Sequence, residues 1–417
     1  MSDARVGYLI PEWPGQTHVW MWREIELLRR WGADVALFST RRPPAAERAR
    51  HAFADAAEKE TIYLWPTSPA RAILFLLWVM ACHPIGFLKA AWLGLTLPVD
   101  KRPAIKTVLP LIVPAAILAR HVHLRGVTRL HSQTCSSSAI LCMMVKRMIG
   151  TPFSLVLNAN ITWWGGAMGE KFADADFTVT HTLWLLNQIR DGYPHLPQSK
   201  SLLARVGVDT QRWSPAAPTA PRSQTRLMTV GRMNAGKGHD ILLRALRILL
   251  DQARDVTLTL AGGGVELENL QNLSQQLNLD DRVRFLGSIP EDHVIEELRQ
   301  SDIFVLATHA ESFGVVYIEA MSLALPVIGT AAPGGVREVI TDGQDGILVP
   351  VNDPNAMSTA IARLIDNPQL RDRLAQAGRQ KAITQFDSRL GAAILFDKFL
   401  GHPPQAEPPS RQQETKQ

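Results

Sequence analysis

The sequence predicts an α/β protein made of two doubly wound domains, each on a parallel sheet. Three observations carry this. Short apolar runs alternate with helix-length stretches along most of the chain, the pattern of βαβ units. A chain of 417 residues exceeds the usual single domain. Between Ala216 and Thr225 the composition turns to Pro, Ala, Ser and Thr with no apolar period, which marks a linker. The expected division is a first domain over 1–205, a linker over 206–225, a second domain over 226–385 and a terminal helix over 386–400. The tail 401–417 is rich in Pro, Gln and charge and reads as disordered.

An apolar content of 46% is ample for two cores. Cys82, Cys135 and Cys142 form neither an even framework nor a CxxC pair, so reduced, buried thiols of a cytoplasmic protein are expected. No His/Cys cluster has zinc spacing. The segment from Met1 to Glu12 has too short an apolar run for a signal peptide. The net charge of +5 hides an asymmetry: residues 1–200 hold 22 Lys+Arg and 14 Asp+Glu, residues 201–417 hold 22 and 25. Between Thr61 and Gly169 there are ten basic residues and one acid, Asp100, and all eleven tryptophans lie at or before Trp213. Basic, apolar and Trp-rich sequence suits an anionic membrane surface. Nucleic acid is the competing partner, but no nucleic-acid motif accompanies the charge.

Arg5 to Ile10 is the first strand, Pro11 to His18 its exit loop, Val19 to Trp31 a helix stopped by Gly32, and Asp34 to Ser39 a second strand. Residues 68–120 are unusual. Ala72 to Cys82 is continuously apolar but too short to span a bilayer, His83-Pro84 breaks it, and Ile85 to Val99 carries Lys89. Thr107 to Ala119 contains Pro110 and Pro114. Helices lying in a membrane plane, flanked by Arg71, Lys89, Lys101, Arg102 and Lys106, fit this pattern; so do buried core helices or a re-entrant hairpin. Gly126 to Gln133, Phe153 to Leu157 and Ala173 to His181 read as further strands with their exits, and Ser136 to Met148 as a helix.

The second half alternates regularly. Leu227 to Val230 leads into Gly231-Arg232, with Lys237-Gly238-His239 before the next helix. Thr257 to Ala261 leads into Gly262-Gly263-Gly264, and Val283 to Ser288 into Ile289-Pro290. Asp302 to Leu306 is a buried strand, followed by Glu311 and, with seven residues between, Glu319. Helix formers from Val315 to Leu325, stopped by Pro326, put Glu311 in the loop and Glu319 about two turns into the helix. N–H groups around Phe313, Gly314 and Val315 open that helix and suit a phosphate. Arg232 and Lys237 flank a glycine-rich turn at a strand's carboxyl end, where open parallel sheets bind ligands. Two cations facing a helix mouth suit a departing pyrophosphate. Neither GxGxxG with a following acid nor a P-loop is present, so NAD binding is disfavoured.

The stretch from Ala310 to Ser322 resembles the twin-glutamate signature of the retaining glycosyltransferases of family GT4, which have the two-domain GT-B fold. The Val206-Gly207-Val208-Asp209 junction and the order Arg232, Lys237, twin glutamates are similar too. In the first half, the Arg23-Glu24 helix, the Ser39 to Pro43 exit and the apolar basic middle look most like transferases of the colanic-acid and amylovoran type.

The resemblance implies a GT-B α/β fold and these roles. Glu311 binds hydroxyls of the transferred sugar, while Arg232 and Lys237 hold the diphosphate and stand in for a metal. Glu319 binds the ribose, and the backbone near Ser288 and Ile289 receives the base. Gly15, Gly231, Gly262, Ser312, Phe313, Gly314 and Val315 line the donor site. The first loop then faces the cleft, and Gln16, Thr17 and His18 become candidate sugar or acceptor contacts. Gly15 either lets a substrate approach closely or only serves a turn. Many family members carry a His near Asn158; here Asn158 or Asn160 stands instead, and His131-Ser132-Gln133 replaces a His-x-His. The implied function is retaining transfer from a UDP- or GDP-linked sugar, with no other cofactor, to a lipid-borne acceptor of exopolysaccharide or envelope glycan. The implied location is the cytoplasmic face of the inner membrane. A diacylglycerol-type glycolipid transferase, a soluble synthase or epimerase on the same fold, and a non-catalytic sugar-nucleotide or membrane binder are the alternatives.

Overall fold

The structure, a computed structural model, describes residues 4–100, 103–216 and 223–404. The flanking cations Lys101 and Arg102, part of the linker and most of the tail lie outside those residues. The first domain is a seven-stranded parallel sheet: β1 Arg5–Ile10, β2 Asp34–Arg41, β3 Ile62–Trp65, β4 Arg129–Ser132, β5 Phe153–Leu157, β6 Thr178–Thr180 and β7 Ser201–Leu203, in spatial order β3-β2-β1-β4-β5-β6-β7. The second is six-stranded: β8 Thr225–Val230, β9 Val256–Ala261, β10 Val283–Gly287, β11 Ile303–Leu306, β12 Val327–Thr330 and β13 Ile347–Val349, in order β10-β9-β8-β11-β12-β13. Both orders reverse once, between β1 and β4 and between β8 and β11. Such reversals splay the flanking loops apart at the strands' carboxyl ends and leave a crevice. The central strands are continuous apolar runs because helices cover both faces.

Two chain crossings join the domains side by side. Val208 N–H donates to Phe386 O (3.0 Å) and Ser388 N–H to Val208 O (2.9 Å). Thr210 Oγ1 donates to Asp387 Oδ2 at 2.5 Å. A Cβ on Gly207 would lie 2.3 Å from Phe386 O, so only glycine permits this approach. Helix Ser388–Leu400 then returns to the first domain, where Leu395, Phe396 and Phe399 pack with Val6, Tyr8 and Ile25. A further tie is a pair of hydrogen bonds to a charged acceptor. The first two N–H groups of helix Leu183–Gly192 donate to the Glu338 carboxylate of the second domain, at 2.9 and 2.8 Å. Helix amino termini lack internal acceptors, so this carboxylate serves as a cap from the other domain.

Residues 68–120 do two things at once. Helices Pro69–Cys82 and Pro84–Thr96 meet at a bend of 115°. Their inner faces, through Val79, Ala90 and Leu93, belong to the first domain's core. Their outer faces are also apolar: Ile73, Leu74, Leu77 and Met80 on one helix, Ile85, Leu88, Trp92 and Leu95 on the other, are exposed at helical spacing. The helical stretch Ala104–Leu124 is long and apolar enough to cross a membrane by length and composition. Ala115 to Ala119 and Val122 are nevertheless buried in the core. Pro110 and Pro114 sit in first turns where a missing N–H costs little. Cys135 and Cys142 are buried as expected, but Cys82, at the end of its helix, is exposed.

Gly207→Ala forces the two crossings apart. Overpacking of this kind costs about 1–3 kcal/mol, so the urea midpoint of the variant should fall measurably below that of the parent protein.

Candidate active site in the cleft between the domains

The second sheet's reversal brings the β8 and β11 exits together. Gly238 has φ +62°, and a Cβ there would lie 2.0 Å from Ala307 O. Thr308 Oγ1 and His309 N–H both donate to Gly236 O, at 3.1 and 2.9 Å. The β9 exit is as close: a Cβ on Gly262 (φ +146°) would lie 1.9 Å from Gly231 O. This backbone-on-backbone packing delivers Lys237 to Glu311, and the two form a part-buried ion pair. Glu311 is held by its own backbone, N–H to Pro333 O (3.1 Å) and O from Gly335 N–H (2.9 Å).

Gly314, at φ +91°, opens helix Val315–Ser322. Glu319 is therefore its fifth residue, one turn in rather than two. Glu319 is buried, and its Oε1 accepts from Arg23 Nη2 at 2.8 Å. Burial pushes the Glu319 carboxyl up, and Arg23 opposes that. The Phe313 ring does not face the cleft; it packs edge-on against Phe386 at 5.8 Å, which leaves its backbone as the available group. Ser312 lies in the turn between Glu311 and Phe313. Arg232 is exposed at the β8 exit.

The first domain meets this site across the cleft. Gly15 N–H donates to His18 Nδ1 at 3.1 Å, and a Cβ on Gly15 would lie 2.9 Å from that ring, so Gly15 serves the turn. The His18 imidazole lies flat against Trp13, 5.9 Å between centroids. Burial, with the charge of Arg232 next, pushes His18 down to about 4, which places the two within electrostatic reach of each other. Gln16 joins the domains: its Nε2 donates to Ile289 O (3.3 Å) and its Oε1 accepts from Arg50 N–H (2.8 Å). Arg50 Nη1 donates to Ser288 O at 3.2 Å. Thr17 is exposed. Asn160 is spent on a turn, its Oδ1 accepting from Thr162 N–H at 3.0 Å. Asn158 donates to Gln133 O (3.1 Å), while its Oδ1 is buried without a partner.

Several participants were not picked out as site residues. Arg23 bonds Glu319 and also Glu291, through Nε at 2.9 Å. Glu24, its neighbour, turns the other way to accept from Tyr8 Oη (3.1 Å) and Gln133 Nε2 (3.0 Å), and burial pushes its carboxyl up to about 7. The available signal was an adjacent Arg and Glu between Met21 and Ile25, both buried positions of an amphipathic helix.

Two facing parallel-sheet domains with a cleft at their carboxyl edges are the GT-B architecture. Residues 212–381 match the family described as Glycosyl transferases group 1, and this part of the chain is such a domain. A GDP-mannose-dependent alpha-(1-6)-phosphatidylinositol monomannoside mannosyltransferase of Mycolicibacterium smegmatis is 30% identical over 47% of this chain and 55% of its own length. A D-inositol 3-phosphate glycosyltransferase of Thermomonospora curvata is 35% identical over 43% and 42%. A glycogen synthase of Mycobacterium tuberculosis is 31% identical over 61% and 63%. The chain thus spans about half the length of the curated relatives it matches. Anabaena HepE in complex with UDP has the same fold over 95% of this chain and 100% of its own, with a TM-score of 0.70 and 16% identity. Sucrose-phosphate synthase from Thermosynechococcus elongatus shares it over 95% and 98%, with a TM-score of 0.72 and 19% identity.

Four buried histidines bear on pH. Burial pushes His131 down to about 3 and His181 and His239, like His18, to about 4. Each stays neutral when folded and gains a proton when unfolded below 6.5, so its contribution is lost as pH falls from 6.5 towards 4. Glu24 acts oppositely, its contribution being lost as pH rises from 4.5 through about 7. Glu319, also pushed up by burial, acts with Glu24, so four imidazoles oppose two carboxyls. The urea midpoint should be lower at pH 5 than at pH 7, and an unchanged or reversed order would refute the imidazole burial.

Proposed function

We propose that the protein is a retaining glycosyltransferase that moves a sugar from a nucleoside-diphosphate donor to a lipid-borne acceptor at the cytoplasmic face of the inner membrane. The observation that carries the reading is the Lys237–Glu311 pair at the sheet reversal of a group 1 domain, with Glu319 one helical turn beyond. On this reading the diphosphate draws Lys237 away from Glu311 and takes Arg232 as its second cation. Glu311, released, accepts from hydroxyls of the sugar, and Glu319 from those of the ribose. The bond from the sugar's anomeric carbon to the diphosphate oxygen breaks, and charge grows on that oxygen beside the two cations. A bond to the acceptor oxygen forms on the same face of the ring. The acceptor's proton passes to the departing phosphate oxygen, so no protein base, metal or further cofactor is invoked. The mannosyltransferase relative is described as GDP-mannose-dependent, which supports testing a GDP-sugar first.

The lipid acceptor rests on the outer apolar faces of the bent helix pair. Trp92 is 68% and Ile85 69% exposed there, with Lys89 and Arg147 beside them. Apolar side chains with adjacent cations suit an anionic bilayer surface. Exopolysaccharide or envelope-glycan assembly is the proposed setting, because such acceptors are lipid-linked sugars.

Three measurements test this. Radiolabelled UDP-, GDP- and ADP-sugars are incubated singly with the protein and extracted membrane lipid; label should enter the organic phase with one donor. Label found only in a water-soluble product would replace the lipid acceptor with a soluble one. Lys237→Ala should lower turnover at least about 100-fold, the scale of losing a transition-state donor, and Glu319→Ala, assayed below the donor's KM, about 10–100-fold, the scale of a hydrogen bond to a charged acceptor, with circular dichroism unchanged. Turnover near the parent rate in either would overturn the site. Leu88→Glu with Trp92→Glu should abolish sedimentation with phosphatidylglycerol vesicles; retained binding would exclude this face.

A further inference from the structure

Arg23 belongs to the first domain but reaches into the second. It projects from helix Val19–Arg30, and its Nη2 lies 2.8 Å from Glu319 Oε1. The Arg23 and Glu319 side chains are each only 9% exposed. Glu291, on helix Glu291–Arg299, takes the same guanidinium through Nε at 2.9 Å and also through Nη2. Arg212 shares Glu291 at 2.6 Å, and the Arg23 guanidinium lies over the Trp213 ring at 5.3 Å. Arg23 Nη1 is buried with no hydrogen-bond partner. Among the described residues, Glu319 Oε2 has none either.

A purely mechanical tie between domains would not need the carboxylate expected to read the donor. Glu291 alone would anchor Arg23. The geometry uses one oxygen of Glu319 for the guanidinium and leaves the other open. We propose that Arg23 is a positioning residue that fixes Glu319, from across the domain interface, as an oriented carboxylate whose Oε2 accepts from the donor's ribose hydroxyls. This rests on the ribose reading of Glu319 given above. The ribose site is then complete only when both domains are in place.

The chemistry explains why an arginine stands there. A buried carboxyl tends to keep its proton, and protonation replaces one acceptor oxygen with a donor. Burial pushes Glu319 up, and the nearby Glu291 adds to this. Arg23 from one side and Arg212 beyond Glu291 are the charges that oppose it. Arg23 itself cannot deprotonate.

The test uses the full chain and calorimetry with UDP, GDP and ADP, then the 2′-deoxy form of whichever binds. Hydrogen bonds to a charged acceptor differ by about 10–100-fold in affinity when the hydroxyl is missing, so the parent protein should prefer the ribose form by that factor. Arg23→Gln should bring the ratio close to one, and should weaken ribonucleotide binding more at pH 6 than at pH 8. Inorganic pyrophosphate, held by Arg232 and Lys237, should bind as before. Arg23→Lys, which keeps one charge and disturbs packing least, should retain an intermediate ratio, and it serves alone if Arg23→Gln does not fold. A parental ratio in both variants overturns the proposal and leaves the ribose reading intact. So does an equal loss for pyrophosphate and nucleotide, since that is a collapsed cleft. A parent protein that does not distinguish ribose from deoxyribose overturns both.

Discussion

The site depends on the close approach of loop backbones at the carboxyl edge of the second sheet. The β8 exit abuts the β11 exit at Gly238 and the β9 exit at Gly262, and the loop after β12 abuts Glu311 at Gly334. In each case a Cβ would fall about 2 Å from a carbonyl oxygen. Side-chain chemistry follows from this constraint. A cation from one loop and a carboxylate from another meet because no side chain keeps their backbones apart. The pair is part-buried, so its attraction is screened less than a surface pair's would be, yet it is open enough for a ligand to replace either partner.

The first domain contributes electrostatics more than ligands. Of the five residues singled out there as substrate contacts beyond Gly15, Gln16 joins the domains and Asn160 closes a turn. His18 is kept neutral by burial and by Arg232. Among the described residues, Arg23, Gln16, Arg50, Arg205 and the amino terminus of helix Leu183–Gly192 reach the second domain. These are donors to carboxylates and carbonyl oxygens of the second domain, while in the other direction the Glu291 N–H donates to His51 Nδ1 at 3.2 Å. The surplus of basic residues in one half and of acidic residues in the other is thus in part a record of which side donates.

Much of this was legible in the sequence. The terminal helix, expected over 386–400, runs from Ser388 to Leu400, and helix Val19–Arg30 ends within a residue of its expected stop at Trp31 before Gly32. The central strands were found because apolar runs bounded by glycine stand out. The edge strands β3 and β7, with four and three residues, were not: pairing on one side only asks for little apolar length. Residues 68–120 defeated a choice between core and membrane because helices apolar on both faces satisfy either periodicity test. Glu311, Glu319 and Lys237 were visible as spacing. Arg23 was not visible as part of the site, since its partners lie 268 and 296 residues away and only the domain arrangement brings them together.

The bend between helices Pro69–Cys82 and Pro84–Thr96 has a geometric consequence. One helix resting on a plane leaves a body free to roll about that helix's axis. Two helices at 115° that both rest on it remove the roll and the pitch together, leaving only spin about the normal. Both are fastened to the first domain's core by their inner faces, so they cannot swivel independently of the sheet. For a protein seated on a bilayer through them, the cleft would stand at one fixed height and tilt. The reach required of an acceptor's head would then be set by the rigid body of the domain rather than by a flexible tether.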